Sequence, residues 1–445
     1  MQPYSPERRT ALVLCGTGAH GAYHAGALRA VQEAGVKIDV MAGQGVGALA
    51  AALAAIDGGS RLWEADGLWM GERARTLYGW KWPLRAAAWL TLVVAAVLVA
   101  PLLFLAAGGG SLPIVVPMIA MIVFVVAVMV VAVGVFAAEW RAPAKRRAEG
   151  AWWWRAIGTP LDTRAAHDVF LGTIAQLIPG AGPSGLGLGR RYAEVLADSL
   201  GQPGFRELMV VATDLDSRRD VIAALLREPY RREFLAPRLD RERRSEVLDL
   251  GGNGRDHALD MVAAALTPPL ACDPHLIAFT PDSYWRGETH RLCDRPGAVS
   301  RLLEELASAG VTQVVIVTAV SPVPAPHRLR ATRIDVRQRL GDFLAAAETA
   351  ALRDAIEMAR LRFDSVYLIC PSHNPIGAFD FTGAYDEASD RRQDLPELMD
   401  RAYEDAYRQF IEPVVGASGE HLARAASTGH ADDHARILHD ADPPR

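Results

Sequence analysis

The stretch Ile38–Ile56, "IDVMAGQGVGALAAALAAI", predicts the fold of the chain around it. A short apolar strand runs into a glycine-rich turn, and the turn opens into an Ala/Leu helix. This is the layout of a nucleophile elbow, which reads G-x-S-x-G between a strand and a helix. The five positions here are Gly43, Gln44, Gly45, Val46 and Gly47. Glycine stands where a serine would attack, so the sequence predicts an elbow without a nucleophile at Gly45.

A second glycine turn, "CGTGAHG", follows an apolar strand at 11–16 and precedes a helix at 22–35. One interpretation is a dinucleotide fingerprint with Asp39 as the ribose-binding acid, but Asp39 lies near the start of its strand and not at the end. The other is an oxyanion loop, whose backbone N–H groups surround a developing negative charge. We favour the loop, formed by Gly16, Thr17, Gly18 and Gly21, and predict no cofactor.

The rest of the chain alternates between strand-like and helix-like runs. Further apolar, β-rich runs lie at 207–215, 311–320 and 365–370, and amphipathic stretches such as 298–310 lie between them. This alternation predicts an α/β layered fold with a largely parallel central sheet. The formal net charge of −5 gives no reason to expect nucleic acid as a partner.

The two glycine turns together resemble the opening of the patatin-like phospholipase family. Further similar segments follow in order: "VVATDLDSRRDVI" at 210–222, "AAALTPPLACDPHLIAF" at 263–279, "YWRGETHRLCDRPGAVSRLLEELASAGVTQVVIV" at 284–317 and "LICPSHNPIGAFDFTGAYD" at 368–386. The resemblance covers about residues 10–410. It implies a Ser–Asp dyad in which the aspartate activates the serine, with the glycine loop stabilising the oxyanion.

Carried onto this sequence, the resemblance places degenerate residues at both dyad positions. The serine falls on Gly45, and the aspartate of the family's D-G-G segment falls on Arg286, which Gly287 and Glu288 follow. The basic residue of the oxyanion loop falls on His20. Arginine stays protonated and cannot accept a proton. Both chemical members of the dyad are therefore expected to be absent.

An uncharged run extends from 86 to 138. Its length allows two membrane spans of about 20 residues each. Basic residues flank the run on both sides and tryptophans cluster around it, which predicts that both ends face the cytoplasm. We therefore expect a two-helix transmembrane hairpin at 84–138 and a multi-pass protein of the inner membrane. It would interrupt a patatin-like core at 8–80 and 155–415, and 416–445 would form a polar tail.

Several other residues are weaker candidates for chemistry. The four cysteines show no metal-binding spacing and read as reduced, mostly buried thiols, although Cys15 lies near the oxyanion loop. Asp282 lies near Arg286, whereas Ser184 and Asp249 occur in the wrong context or chain order for a dyad. We predict no metal site, although the tail offers His430, Asp432, His434 and His439.

Two functions remain open from the sequence. The first is a pseudohydrolase that binds membrane lipid, a protein partner or a second copy of itself. The alternative is an active lipid acyl hydrolase with a rearranged site, to which Cys15 or Asp282 would contribute. His20 and His24 lie four residues apart at the helix start, but two histidines do not make a site, and we expect them at surface or cap positions.

Overall fold

The computed structural model describes residues 4–106, 119, 121–130, 158–178, 185–237, 243–281, 283, 285–321, 336–371, 376–386 and 391–416. The strands are β1 Thr10–Gly16, β2 Val40–Gly45, β3 Gly79–Trp80, β4 Leu161–Asp162, β5 Glu207–Asp214, β6 Arg219–Leu225, β7 Ser245–Asp249, β8 His275–Ala278, β9 Thr289–Cys293, β10 Gln313–Thr318, β11 Ser365–Ile369, β12 Ala384–Asp386 and β13 Arg391–Gln393. The α-helices are α1 His20–Glu33, α2 Val46–Asp57, α3 Trp82–Ala106, α4 Arg164–Leu177, α5 Gly185–Ser199, α6 Tyr230–Leu235, α7 Ala258–Ala265, α8 Val299–Ser308, α9 Val336–Arg360 and α10 Leu395–Ala406.

Within the described residues, nine strands form one mixed sheet in the order β11-β10-β1-β2-β5-β6-β7, and β9 and β8 extend from the end of β5. The pairs from β11 to β5 are parallel, as is β6 with β7. The pairs β5–β6, β5–β9 and β8–β9 are antiparallel. The predicted α/β fold with a largely parallel sheet is confirmed, and the antiparallel additions are what the sequence did not reveal.

The elbow lies in the middle of this sheet. β1 and β2 pair in parallel with Cys15 opposite Gln44 and Gly16 opposite Gly45, so the two glycine turns leave the sheet side by side. Every residue of β1 and β2 is buried. The helix α2 is buried from Val46 to Ile56, because its Ala/Leu composition is apolar on all sides. It ends at Gly58, which adopts a left-handed conformation.

Contacts within the chain define two compact units. One contains residues 1–78, 163–270 and 274–445, and holds the nine-stranded sheet; the other contains residues 79–162 and 271–273. In the second unit β3 and β4 pair in antiparallel fashion, and the Lys81 ammonium forms an ion pair with Asp273. The predicted division of the patatin-like core at 8–80 and 155–415 stays a prediction, and the tail from residue 417 onward lies outside the described residues.

The predicted membrane location requires a correction. No helix in the part of the chain that the structure describes is long and apolar enough to cross a membrane. The predicted multi-pass location in the inner membrane is therefore wrong, whereas the bounds 84–138 given to the hairpin stay a prediction. The location was inferred from the uncharged composition of 86–138 and its flanking charges, whereas a span requires a helix that is both about 20 residues long and apolar throughout. Most of the predicted second span, 114–138, lies outside the described residues.

Candidate functional site

The backbone at Gly45 has the strained geometry of an elbow. Gly45 adopts φ 60° and ψ −132° between β2 and the first turn of α2. This region of conformational space is costly for residues with a side chain. The flanking glycines allow the turn to be sharp, because a Cβ atom on Gly43 would lie 2.3 Å from the Gly47 carbonyl oxygen. A Cβ atom on Gly47 would lie 2.0 Å from the Leu14 carbonyl oxygen.

The space that a nucleophile would need at the elbow is occupied by backbone. A Cβ atom on Gly45 would lie 2.2 Å from the carbonyl oxygen of Gly16, a distance that atoms cannot adopt without displacement. The same Cβ position lies 3.0 Å from the Asp294 Oδ2 atom. The elbow therefore faces a carboxyl group, but the first residue of the oxyanion loop closes over it.

Asp294 is the acidic residue that the fold brings to the elbow. It directly follows β9, and its Oδ1 atom accepts hydrogen bonds from Gln44 Nε2 (3.1 Å) and from the Arg295 backbone N–H (2.8 Å). The Thr17 hydroxyl donates to Oδ2 at 3.4 Å. The carboxyl is buried, and this burial raises the pKa of Asp294 to about 6 although its hydrogen bonds oppose the shift. Oδ1 is thus held by two hydrogen bonds, whereas Oδ2, which accepts the longer bond from Thr17, faces Gly45.

The oxyanion loop uses its donors within the protein. The Thr17 N–H donates to His20 Nδ1 at 3.1 Å, and the Ala19 N–H donates to the Ala378 carbonyl oxygen at 2.8 Å. Gly18 also lies close to Ala378: a Cβ atom on Gly18 would be 2.1 Å from the Ala378 carbonyl oxygen. A bound oxyanion needs free N–H groups. These two N–H groups are engaged already, so they are not available to a bound oxyanion.

His20 connects the loop to a covering segment, Ile376–Phe381. Its Nδ1 atom accepts a hydrogen bond from Thr17, so its Nε2 atom carries the proton and donates to the Ile376 carbonyl oxygen at 3.0 Å. The ring is fully buried, and burial lowers the pKa of His20 to about 4. His20 is therefore a neutral ring that fixes the loop, and it does not supply the positive charge that the family's basic residue would.

A second buried carboxyl lies on the far side of His20. Glu348, on α9, has Oε2 3.8 Å from His20 Nδ1. Burial, and then the nearby charge of Asp294, raises the pKa of Glu348 to about 8. Cys15 lies near both carboxyls, and burial raises the pKa of its thiol well above the usual value. Because the thiolate is the nucleophilic form, this environment disfavours Cys15 as a replacement nucleophile.

Arg286 does not lie at the elbow. It is exposed, has φ 48° and occupies the turn before β9, where its N–H donates to the Ser283 carbonyl oxygen. Asp294 follows β9, so the two residues lie at opposite ends of a strand roughly 17 Å long. The assignment of the acid position to Arg286, with Gly287 and Glu288, thus placed the acid at the wrong end of β9.

The remaining candidates have structural environments or lie outside the described residues. Asp282, Ser184 and the tail histidines are among the latter. Asp249 forms an ion pair with Arg231 at 2.7 Å, and Asp39 accepts a hydrogen bond from the Thr10 N–H at the start of β1. His24 Nε2 donates to the Cys15 carbonyl oxygen at 2.9 Å. All four cysteines are free, and three of them are buried.

One cluster has the composition of a metal site. The ligand atoms of Asp214, Asp216 and His290 lie within 4.8 Å of one another. However, His290 Nδ1 already bonds Asp214 at 2.6 Å, and Asp216 accepts two hydrogen bonds from the Arg291 side chain and one from its backbone. These internal partners account for the cluster without a metal.

Sequence patterns offered a usable signal for Asp294 and none for Glu348. Asp294 comes directly after a β-strand and shortly before the helix at 299, with Gly297 three positions later, which is a plausible position for a strand-end acid. Glu348 is one of several charged residues on an amphipathic helix, and nothing local marks it as buried.

Comparison with known proteins agrees with this geometry. The patatin-like phospholipase family matches residues 12–359. This chain belongs to that family. No curated protein matches the chain. Among solved structures, the crystal structure of VipD from Legionella pneumophila is similar, with 14% sequence identity and a TM-score of 0.33, over 93% of this chain and 67% of that chain.

The patatin match includes the elbow, the oxyanion loop, Asp294 and Glu348, whereas the covering segment Ile376–Phe381 lies beyond it. The family name implies lipids as the substrate class of its members. In this patatin-family chain the backbone makes the sharp turn of an elbow at Gly45, between β2 and α2.

Proposed function

We propose that this chain is a patatin-family pseudohydrolase that binds lipid without hydrolysing it. The observation that carries the proposal is the closure of the elbow: Gly45 has no side chain, and the Gly16 carbonyl oxygen lies 2.2 Å from where one would begin. A covalent acyl intermediate needs a nucleophilic side chain at that point. The lipid class follows from the family, and a protein partner or self-association stays a prediction.

The surrounding chemistry supports the same proposal. Asp294 takes the place of the dyad acid and is placed to accept a proton, but Gly45 offers none. The N–H groups of Thr17 and Ala19 are bonded within the protein. In this account the chain has lost the nucleophile, and two of its loop donors are occupied, while the acid remains in its position.

A hydrolysis assay tests the proposal. Purified full-length protein is incubated with phospholipid vesicles and, separately, with p-nitrophenyl esters. We expect release of fatty acid or p-nitrophenol at the rate of a protein-free blank, together with co-sedimentation of the protein with vesicles. Hydrolysis above the blank that Asp294→Asn abolishes would refute the pseudohydrolase proposal.

A second candidate, an acyl hydrolase with a rearranged site, has one observation in its favour. The Thr17 hydroxyl lies 3.4 Å from Asp294 Oδ2, which is the oxygen that faces the elbow. Thr17→Val removes this hydroxyl with little change in volume, and Thr17→Ser keeps it. Activity that survives Thr17→Ser but not Thr17→Val would establish the second candidate. The 3.4 Å distance and the burial of Thr17 are why we rank it below the first.

A further inference from the structure

The carboxyl group of Glu348 is buried without a hydrogen-bond partner. Neither Oε1 nor Oε2 has a partner among the residues that the structure describes, and the side chain is 3% exposed. Most buried polar groups in proteins are hydrogen-bonded, so an unpartnered carboxyl needs an explanation. An isolated carboxylate would be costly at this position, and the protonated form is the one that the closed structure accommodates.

The titratable groups around Glu348 come from three elements. His20 lies on α1, with His24 one turn further along that helix; Cys15 lies at the end of β1; Asp294 follows β9. Ionised Asp294 repels a carboxylate at Glu348, and the Cys15 thiol stays neutral, so neither group stabilises ionised Glu348. His20 is the group that is able to stabilise ionised Glu348, because its ring nitrogen is 3.8 Å away and can carry a proton.

In the closed structure His20 cannot do so. Its Nδ1 atom has no proton, because it accepts the hydrogen bond from the Thr17 N–H. Its Nε2 proton is given to the Ile376 carbonyl oxygen. For His20 to donate to Glu348, the ring must carry its proton on Nδ1. A neutral ring in that state loses both hydrogen bonds that attach the oxyanion loop to the covering segment.

We propose that Glu348 and His20 form a proton-controlled latch on the oxyanion loop. With Glu348 protonated, His20 holds the Thr17 N–H and the loop is sealed. When Glu348 releases its proton to solvent, the ring proton of His20 moves from Nε2 to Nδ1 through solvent exchange and is donated to the new carboxylate. One proton leaves the protein in total, and the Thr17 N–H becomes free. This inference concerns the regulation of the site in the proposed function and rests on its sealed loop.

The pKa values agree with the direction of this change. Burial raises the pKa of Glu348 to about 8, so the closed state keeps its proton at neutral pH and loses it on alkalinisation. Burial lowers the pKa of His20 to about 4, so the ring is neutral across this range. Opening is thus expected above about pH 8, with one proton released.

Amide hydrogen exchange across a pH series tests the latch. The readout is the protection of a peptide containing Thr17 and Ala19, after correction for the intrinsic pH dependence of exchange. For a one-proton linkage, protection should fall by up to about tenfold per pH unit as the pH rises towards the midpoint near 8, and it should level off above the midpoint. A peptide within α2 reports global unfolding and should keep its protection.

Two variants define the mechanism. Glu348→Gln cannot ionise, and His20→Asn keeps an acceptor for the Thr17 N–H but has no proton to relocate. Both should remove the alkaline loss of protection. Glu357→Gln, an exposed glutamate on the same helix, should behave as the unmodified protein.

Three results would overturn the latch. These are a flat pH profile in the unmodified protein, an equal loss in the α2 peptide, or an unchanged alkaline loss in Glu348→Gln. If Glu348→Gln does not fold, His20→Asn and the unmodified protein decide the question. Because the readout is exchange and not hydrolysis, failure of the latch is distinct from failure of the pseudohydrolase proposal.

Discussion

Asp294 Oδ2 lies 3.0 Å from the position that a Cβ atom on Gly45 would occupy. A buried carboxyl group is thus placed directly beside the glycine at the turn between β2 and α2. The Gly16 carbonyl oxygen lies 2.2 Å from the same position. The neighbouring backbone therefore occupies the space that a side chain at Gly45 would need, which is the feature on which the proposed pseudohydrolase rests.

Substitution of Gly45 should measure this closure. Gly45→Ala introduces both an unfavourable backbone conformation at φ 60° and an overlap with Gly16. Gly35 has nearly the same φ, 63°, but no atom lies within 4 Å of its Cβ position. Gly35→Ala should lower the free energy of unfolding by roughly 1–2 kcal/mol. Gly45→Ala should lower the free energy of unfolding by roughly 1–3 kcal/mol more than Gly35→Ala does, because of the overlap with Gly16.

Denaturant unfolding of the two variants beside the unmodified protein provides the measurement. Equal losses of stability in Gly35→Ala and Gly45→Ala would mean that the Gly16 carbonyl group moves aside at little cost, so that the elbow can accept a side chain.

Asp294→Asn should make the protein less sensitive to pH between about 4 and 6. Burial raises the folded-state pKa of Asp294 from 3.8 to about 6, so its ionisation destabilises the fold as pH rises through this window. The shift corresponds to about 3 kcal/mol at most. The amide removes this penalty, and its oxygen still accepts from Gln44 and Arg295. The free energy of unfolding of both proteins, measured from pH 4 to 7.5, should diverge in favour of the variant as pH rises. Parallel curves would show that the carboxyl is not desolvated.

The opposite pH dependence is expected from His24. Burial lowers its folded-state pKa from 6.5 to about 3, so it contributes stability above pH 6.5 that is lost as pH falls towards 3. In His24→Gln an amide N–H takes over the hydrogen bond to the Cys15 carbonyl oxygen. The variant should therefore unfold at lower pH than the unmodified protein in an acid titration followed by circular dichroism. His20 limits this gain in acid stability, because burial also lowers its pKa, to about 4, so its own protonation still destabilises the fold in acid. An unchanged acid midpoint would contradict this account of His24.

The local pattern around Gly45 was enough to predict the elbow and the layering of the fold. Strand, glycine turn and helix are encoded within about twenty consecutive residues. The parallel pairing of β1 with β2 follows from the helical crossover α1 that connects them. The antiparallel strands β6, β8 and β9 were missed, because their pairing depends on long-range contacts that no local periodicity specifies.

The acid partner was misplaced for a physical reason. A dyad is defined by proximity in space, whereas the sequence comparison relied on a following glycine. Arg286 is followed directly by Gly287, but Asp294 is followed by Arg295 and Pro296 and reaches its glycine at position 297. The burial of Glu348 was equally hidden, because α9 is amphipathic and its packing against the loop is a tertiary feature.

The most direct test of the central claim is the intact mass of the protein after reaction with a fluorophosphonate. This reagent forms a covalent bond with a hydroxyl that a neighbouring base has activated. The account predicts an unchanged mass under conditions that label an active serine hydrolase completely, because Gly45 has no hydroxyl and Thr17 is sealed in the loop. A mass increase of one phosphonyl group, located at Thr17 and absent in Asp294→Asn, would contradict it.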